Sequence, residues 1–265
     1  RYTSRMPRYE PFDWYEDAGY YDIIFDADTK QEMKFLESVH QRHGLARGRR
    51  MLEPACGSGR LVAAAAAQGY RVTGFDTSEG MLRFARQRLR ARKLSARLIN
   101  VRMEDFSFRE KFDLGHCLIS TFKYLLGEEA ARAHLRCVAE ALEPGGVYVL
   151  GLHLTDYADR TCSHERWVGR RGGVEVVCNI RSWPSDRRRR TERVRSRLTV
   201  RRRGRERRLE TEWAFRTYSL RQLRSLLRSV PELEHVATYD FHCDIARPIV
   251  FDGEQLDNVL ILRRI

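Results

Sequence analysis

The sequence predicts an α/β protein: a doubly wound, seven-stranded, mostly parallel sheet with an antiparallel β insertion after its fifth strand. Three observations lead there. Residues 51–60, Met51-Leu52-Glu53-Pro54-Ala55-Cys56-Gly57-Ser58-Gly59-Arg60, read as a buried strand, a glycine turn and a helix start. From 50 to 154, short apolar runs alternate with amphipathic helical patterns, the rhythm of right-handed βαβ units. From 155 to 218 that rhythm yields to period-two alternation: Val174, Val176, Cys178, Ile180; then Val194, Ser196, Leu198, Val200; then Leu209, Thr211, Trp213, Phe215. Such alternation marks an antiparallel sheet with one apolar face.

The elements follow in order. Residues 1–45 form an N-terminal cap, aromatic at Tyr9, Phe12, Trp14, Tyr15, Tyr20, Tyr21 and Phe25, then helical from Asp28 to His43. Met33, Phe35, Leu36 and Val39 give that helix its apolar face, and Asp28 is its N-cap candidate. Residues 46–154 form the core. Its helices fall at 60–68, 79–93 and 128–142, and its second strand ends in an acid at Gly74-Phe75-Asp76. Residues 155–218 form the insertion. Ser219 caps a helix to Ser229, and strands at Val236–Phe241 and Val259–Leu262 complete a C-terminal unit, 219–265.

At 265 residues the chain can bury one sizeable core with an inserted subdomain. No apolar run approaches the ~20 residues of a membrane span, and no secretory leader is legible. Six cysteines form no C-x-x-C pair, so buried free thiols and a cytoplasmic setting are expected, with no metal site. The net charge of +13 is concentrated: residues 181–208 hold fourteen Arg against Asp186, Glu192 and Glu206.

That Arg-rich stretch reads as a hairpin. With Arg203-Gly204 as a two-residue turn, Arg202 pairs with Arg205, Leu198 faces Leu209 and Val194 faces Trp213. Arg197 then falls opposite Glu210 and Arg195 opposite Glu212, cross-strand ion pairs of ~0.2–1 kcal/mol each. The stretch is thus either a solvated, partly paired sheet face or a phosphate-contacting surface carried by 187–190 and 201–208.

The glycine turn fits a nucleoside-containing cofactor. It lets a ligand approach the backbone, the helix start offers free N–H groups, and Asp76 can accept from a ribose. A dinucleotide site would want G-x-G-x-x-G, but no third glycine follows Gly59. Glu53 would repel a pyrophosphate and attract a cationic or amino-bearing ligand.

On these residues the chain resembles the class I S-adenosylmethionine-dependent methyltransferases. Glu53, Gly57 and Gly59 match the family's first motif, with Ala55 where the first glycine usually sits. Asp76, Thr77 and Met81 match the ribose-binding acid and the following helix start. Val101 to Phe106, with Met103, Glu104 and Asp105, resembles the adenine-binding loop; Arg102 stands where an acid is common. Phe112 to Phe122, with Ile119, resembles the fourth strand and its outgoing loop, and Leu142 to Gly146 the turn before the fifth. Tyr21, within Tyr20-Tyr21-Asp22, is similar to an N-terminal Tyr-Asp segment that folds over the cofactor in related small-molecule enzymes. The resemblance implies S-adenosylmethionine as cofactor and S-adenosylhomocysteine as product. It implies an insertion that serves as a lid or a homodimer surface.

Reactive groups should gather at the carboxyl ends of strands four and five: Ser120, Thr121, Lys123 and Tyr124, then His153, Asp156 and Tyr157. His153 is the preferred general-base candidate, with a structural histidine as the alternative, and Tyr124 is either packing or a substrate contact. His116, mid-strand, reads as core. The expected activity is methyl transfer to a small-molecule N or O acceptor. An RNA or nucleotide methyltransferase and a non-catalytic binding protein are the alternatives.

Overall fold

The structure, a computed structural model, describes residues 8–15 and 17–265. The expected N-terminal cap therefore lies partly outside the described residues. In chain order the elements are β1 (Glu10–Pro11), α1 (Ala18–Phe25), α2 (Thr29–His43), β2 (Arg50–Pro54), α3 (Arg60–Ala67), β3 (Arg71–Asp76), α4 (Glu79–Ala91) and β4 (Arg97–Asn100). Then come β5 (Phe112–Cys117), a 3-10 turn (Thr121–Tyr124), α5 (Glu128–Ala141) and β6 (Leu142–His153). Last are β7 (Ser163–Arg171), β8 (Val174–Ser182), β9 (Thr191–Arg202), β10 (Arg205–Arg216), α6 (Leu220–Arg228), β11 (Leu233–Tyr239) and β12 (Asp257–Arg264).

The larger sheet has seven strands in the order β4-β3-β2-β5-β6-β12-β11. The first five are parallel, and β12 is antiparallel to both β6 and β11. Strands β2 and β5 are almost wholly buried, as parallel strands covered on both faces must be. Between them the strand order reverses, which opens a crevice at their carboxyl ends.

Helix α4 buries Met81, Leu82, Ala85 and Leu89, a 3.6-residue stripe, and Ser78 caps it by accepting from the Met81 N–H. Ser219 and Gln222 close a reciprocal capping box at the start of α6. One boundary differs from the sequence expectation. Leu142 to Gly146 belongs to β6 itself rather than to a turn before it, and the β5–β6 register shifts between Phe112 and Leu114. Gly145 takes φ +78 there, and its carbonyl accepts from the Leu45 and Ala46 N–H groups.

The insertion forms a second, five-stranded sheet, order β1-β10-β9-β8-β7. The hairpin register is as the apolar pattern required: Arg202 against Arg205, Leu198 against Leu209 and Val194 against Trp213. Arg197 pairs with Glu210 at 2.5 Å, but Arg195 reaches diagonally to the same Glu210, at 3.7 Å, and not to Glu212. Two features lay outside the sequence reading. Strand β7 is mostly exposed and carries no apolar period to reveal it. Strand β1 joins β10 in parallel, so the N-terminal segment completes the insertion's sheet. Trp14, Tyr21 and Phe25 accordingly pack with Val176, Leu198 and Trp213 in one apolar cluster.

Candidate active site

The crevice is lined by the turn after β2 and by the end of β5, with Tyr21 added from α1. Gly57 and Gly59 take φ +52 and +68. A Cβ on Gly57 would meet nothing within 4 Å, so that side of the turn is open to a ligand. A Cβ on Gly59 would come within 2.7 Å of the Ala85 Cβ, so Gly59 lets α3 approach α4 and does not line the crevice. Ala55 takes φ +51, the left-handed backbone that a first glycine would adopt without cost. Ile119 and Ser120 are left-handed as well, at φ +54 and +59. Such conformations concentrate at ligand sites.

Glu53 is buried, its Oε2 has no hydrogen-bond partner, and burial pushes its carboxyl up to about 8. His116 is buried in mid-strand, as expected, and also lines this cavity; its Nε2 is unpartnered and burial pushes it down to about 3. Asp76 accepts from the Gly57 N–H at 2.9 Å and the Ser78 N–H at 2.8 Å. A carboxylate has about four acceptor sites, so capacity for a diol remains.

Other predicted residues sit further out. Thr77 is exposed, and its carbonyl accepts from Asn100. Met81 is fully buried under α4. The Met103 carbonyl accepts from His134 Nδ1 at 2.7 Å, which leaves Nε2 to accept from the Tyr148 hydroxyl. Glu104 is tied to Arg102, and Asp105 is exposed. Tyr157 turns to Thr217 and Gln222, away from the crevice.

At the acceptor end, His153 closes β6 with Ser120 Oγ 3.0 Å from its Nδ1 and Lys123 Nζ 2.6 Å from its Nε2. Lys123 donates to Glu192 Oε1 at 2.8 Å, and Glu192 lies 3.4 Å from His153 Nε2. The Lys123 and His153 contacts overcome the burial of Glu192 and hold its carboxyl down to about 2. Sequence reading placed Ser120, Lys123 and His153 at this end but took Glu192 only as one acid among arginines. No sequence spacing joins Lys123 to Glu192, because the contact crosses from the core to the insertion. The Tyr124 hydroxyl bonds the Tyr15 hydroxyl, and its ring meets Phe215 at 4.7 Å. Ser78 Oγ donates to the Tyr15 carbonyl at 2.7 Å, so the N-terminal segment spans from the cofactor turn to the insertion.

Residues 51–146 match the family described as "Methyltransferase domain", in the same segment that builds the crevice. That segment is a methyltransferase domain. The chain is 30% identical over 138 residues to the dTDP-3-amino-3,6-dideoxy-alpha-D-glucopyranose N,N-dimethyltransferase of Streptomyces fradiae, covering 51% of this chain and 52% of that one. An S-adenosylmethionine-dependent methyltransferase from Clostridium acetobutylicum superposes with TM-score 0.75 at 18% identity, covering 95% and 98% of the two chains. An S-adenosylmethionine-bound amino pentose methyltransferase from Micromonospora echinaspora gives 0.68 at 19%, covering 98% and 100%. At these identities the superpositions establish the shared fold. The chain spans about half the length of the curated relatives it matches, 58%, 53% and 52% of them.

The residues present fit the cofactor of this methyltransferase family. S-adenosylmethionine carries an α-ammonium, and the unpartnered Glu53 Oε2 and His116 Nε2 are two buried acceptors for it. It carries no phosphate, consistent with an acid at the end of β2.

Proposed function

We propose that this protein is a methyltransferase that moves a methyl group from S-adenosylmethionine to a nitrogen or oxygen of a small molecule, and specifically to a sugar amine. The observation that carries the reading is the closure of the acceptor end. Tyr15, Tyr21, Tyr124 and Phe215 meet over it from the N-terminal segment, the core and β10. A site enclosed by aromatics suits a small acceptor better than a polymer. The sugar amine is suggested by the named activities of the Streptomyces fradiae and Micromonospora echinaspora proteins.

Bound S-adenosylmethionine supplies a methyl group already activated on a sulfonium. Glu53 and His116 hold the amino-acid tail, Gly57 gives the backbone room, and Asp76 accepts from the ribose. Tyr21, which lines the crevice, offers an aromatic face to the cation. His153 draws off the acceptor's proton, and the half-buried Tyr15 and Tyr124, bonded through their hydroxyls, help to shield the site from water.

Arg197, Arg201, Arg207 and Arg208 each have a carboxylate partner within the sheet or on β1. Methyl-labelled S-adenosylmethionine, offered with free and nucleotide-linked amino sugars, phenols and bulk RNA, tests the proposed methyl transfer. Label in an amino sugar is the expected result, and label in RNA alone overturns it.

A further inference from the structure

S-adenosylmethionine and its product end in an amino-acid tail with two opposite charges, an ammonium and a carboxylate. The unpartnered acceptors of the cavity, Glu53 Oε2 and His116 Nε2, answer only the ammonium. A carboxylate that enters a buried site needs donors of its own, and above all a cation, because an unpaired buried charge is costly.

Arg60 is the only lysine or arginine among the residues that line this cavity. It opens α3 directly after the glycine turn and is buried, 8% exposed. Its guanidinium is held from one side only. Nη1 donates to Glu32 of α2 and, at 3.2 Å, to Thr29 Oγ1. Nε and Nη2 make no hydrogen bond among the described residues, and both atoms remain accessible. Glu32 and Thr29 thus use one end of the group and leave the other edge unengaged. That edge carries two parallel N–H groups, the fork that matches the two oxygens of a carboxylate. The charge of Arg60 is felt at Glu53, His116 and Tyr21, so the guanidinium stands among the residues already assigned to the cofactor.

We propose that Arg60 determines specificity for the tail of the cofactor: its Nε/Nη2 edge takes the α-carboxylate while Glu53 takes the α-ammonium. The inference rests on this crevice being the cofactor site. Reading the two charges from two elements, β2 and α3, fixes the orientation of the tail. A donor that lacks the carboxylate leaves the guanidinium edge unanswered and is bound poorly. An arginine kept only to pin α2 to α3 through Glu32 would treat the two donors alike.

The test is binding, so it needs neither acceptor nor turnover. Calorimetry compares S-adenosylhomocysteine with its decarboxylated analogue, S-adenosyl-3-thiopropylamine, which keeps the amine and lacks only the carboxylate. The wild type is expected to prefer S-adenosylhomocysteine by roughly 100-fold. Because Arg60→Met alone leaves Glu32 buried without its partner, the double variant Arg60→Met/Glu32→Gln carries the comparison, with its thermal transition as the check on its fold. It should bind the two ligands within about threefold of each other, and the analogue about as well as the wild type does. Arg60→Lys keeps the charge beside Glu32 but loses the parallel fork, so its preference should fall between the two. Glu53→Gln, by contrast, should weaken both ligands together and keep the preference. Equal binding of the two ligands by the wild type overturns the proposal, and so does a full preference in the double variant. Binding of neither ligand by the wild type overturns the reading of the crevice as the cofactor site, a failure distinct from binding without preference.

Discussion

Glu53 Oε2 and His116 Nε2 face each other across 3.7 Å in the cofactor cavity, and neither has a hydrogen-bond partner. The distance is too long for a direct bond, and both atoms stay open to a donor that approaches from the cavity. An unpaired buried carboxyl is neutral near pH 7 when its affinity for a proton is pushed up to about 8.

Cofactor binding should therefore release a proton. An arriving α-ammonium favours the ionised form of Glu53, while His116, held down to about 3, stays neutral before and after. Calorimetry of S-adenosylhomocysteine binding at pH 7 should give different heats in phosphate and Tris, corresponding to nearly one proton released. Glu53→Gln should abolish the difference and weaken binding by roughly 10- to 100-fold. Equal heats in the two buffers for the wild type would contradict this.

The same carboxyl sets a slope in stability. Its folded-state affinity, about 8, lies above its ordinary value of 4.5, so the folded protein binds that proton more tightly than the unfolded chain. The stabilisation is present in full below about 4.5 and is lost as pH rises through 8. The Tm of the wild type relative to Glu53→Gln should fall between pH 5 and 9 in the absence of cofactor. A flat difference would place Glu53 in a more polar setting than the structure gives it.

How much of this was readable beforehand depends on the range of the interaction. The glycine turn, the acid at Asp76 and the Leu198–Leu209 register follow from local chain geometry and strand period, and each is found as the sequence implied. Ser120, Lys123 and His153 were legible only as strand-end positions. The pairing of Lys123 with Glu192 joins residues 69 apart in sequence, across two sheets, and no periodicity encodes it. His116 was legible as core, but not as a lining residue, because nothing in the local sequence shows the cavity beside it. Strand β7 escaped notice because solvent covers most of it and its sequence therefore does not alternate.

Gly59→Ala tests the helix packing that shapes the cofactor turn. The new Cβ must adopt φ +68 and would sit 2.7 Å from the Ala85 Cβ. The two costs together should destabilise the protein by roughly 2–4 kcal/mol, read by urea denaturation. Gly57→Ala, whose Cβ meets nothing within 4 Å, should cost only the backbone part and yet weaken cofactor binding. Equal losses of stability in the two variants would contradict the packing role of Gly59.

Asp22 ties three parts of the molecule together. Its buried carboxylate accepts from Ser58 of the cofactor turn at 2.7 Å, pairs with Arg88 of α4, and meets Arg171 of β7 at 2.7 Å. Arg88 is buried, and its other carboxylate partner, Asp26, is a third exposed. Asp22→Ala should thus cost about 3–5 kcal/mol in chemical denaturation, the penalty of breaking a buried pair from one side. Arg171→Ala, at the half-exposed end of the same network, should cost under about 1 kcal/mol. A small loss in Asp22→Ala would mean that the network is not what joins the N-terminal helix to the core.

The most direct measurement is S-adenosylhomocysteine binding by calorimetry on the wild type and on Asp76→Ala. Asp76 ends β3, accepts from Gly57 of the open turn and leaves acceptor capacity for a ribose diol. The account predicts micromolar binding by the wild type and a loss of roughly 100-fold or more in Asp76→Ala, since two hydroxyls would lose a charged acceptor. No binding by the wild type, or equal binding by both proteins, would contradict the central claim that this crevice holds S-adenosylmethionine.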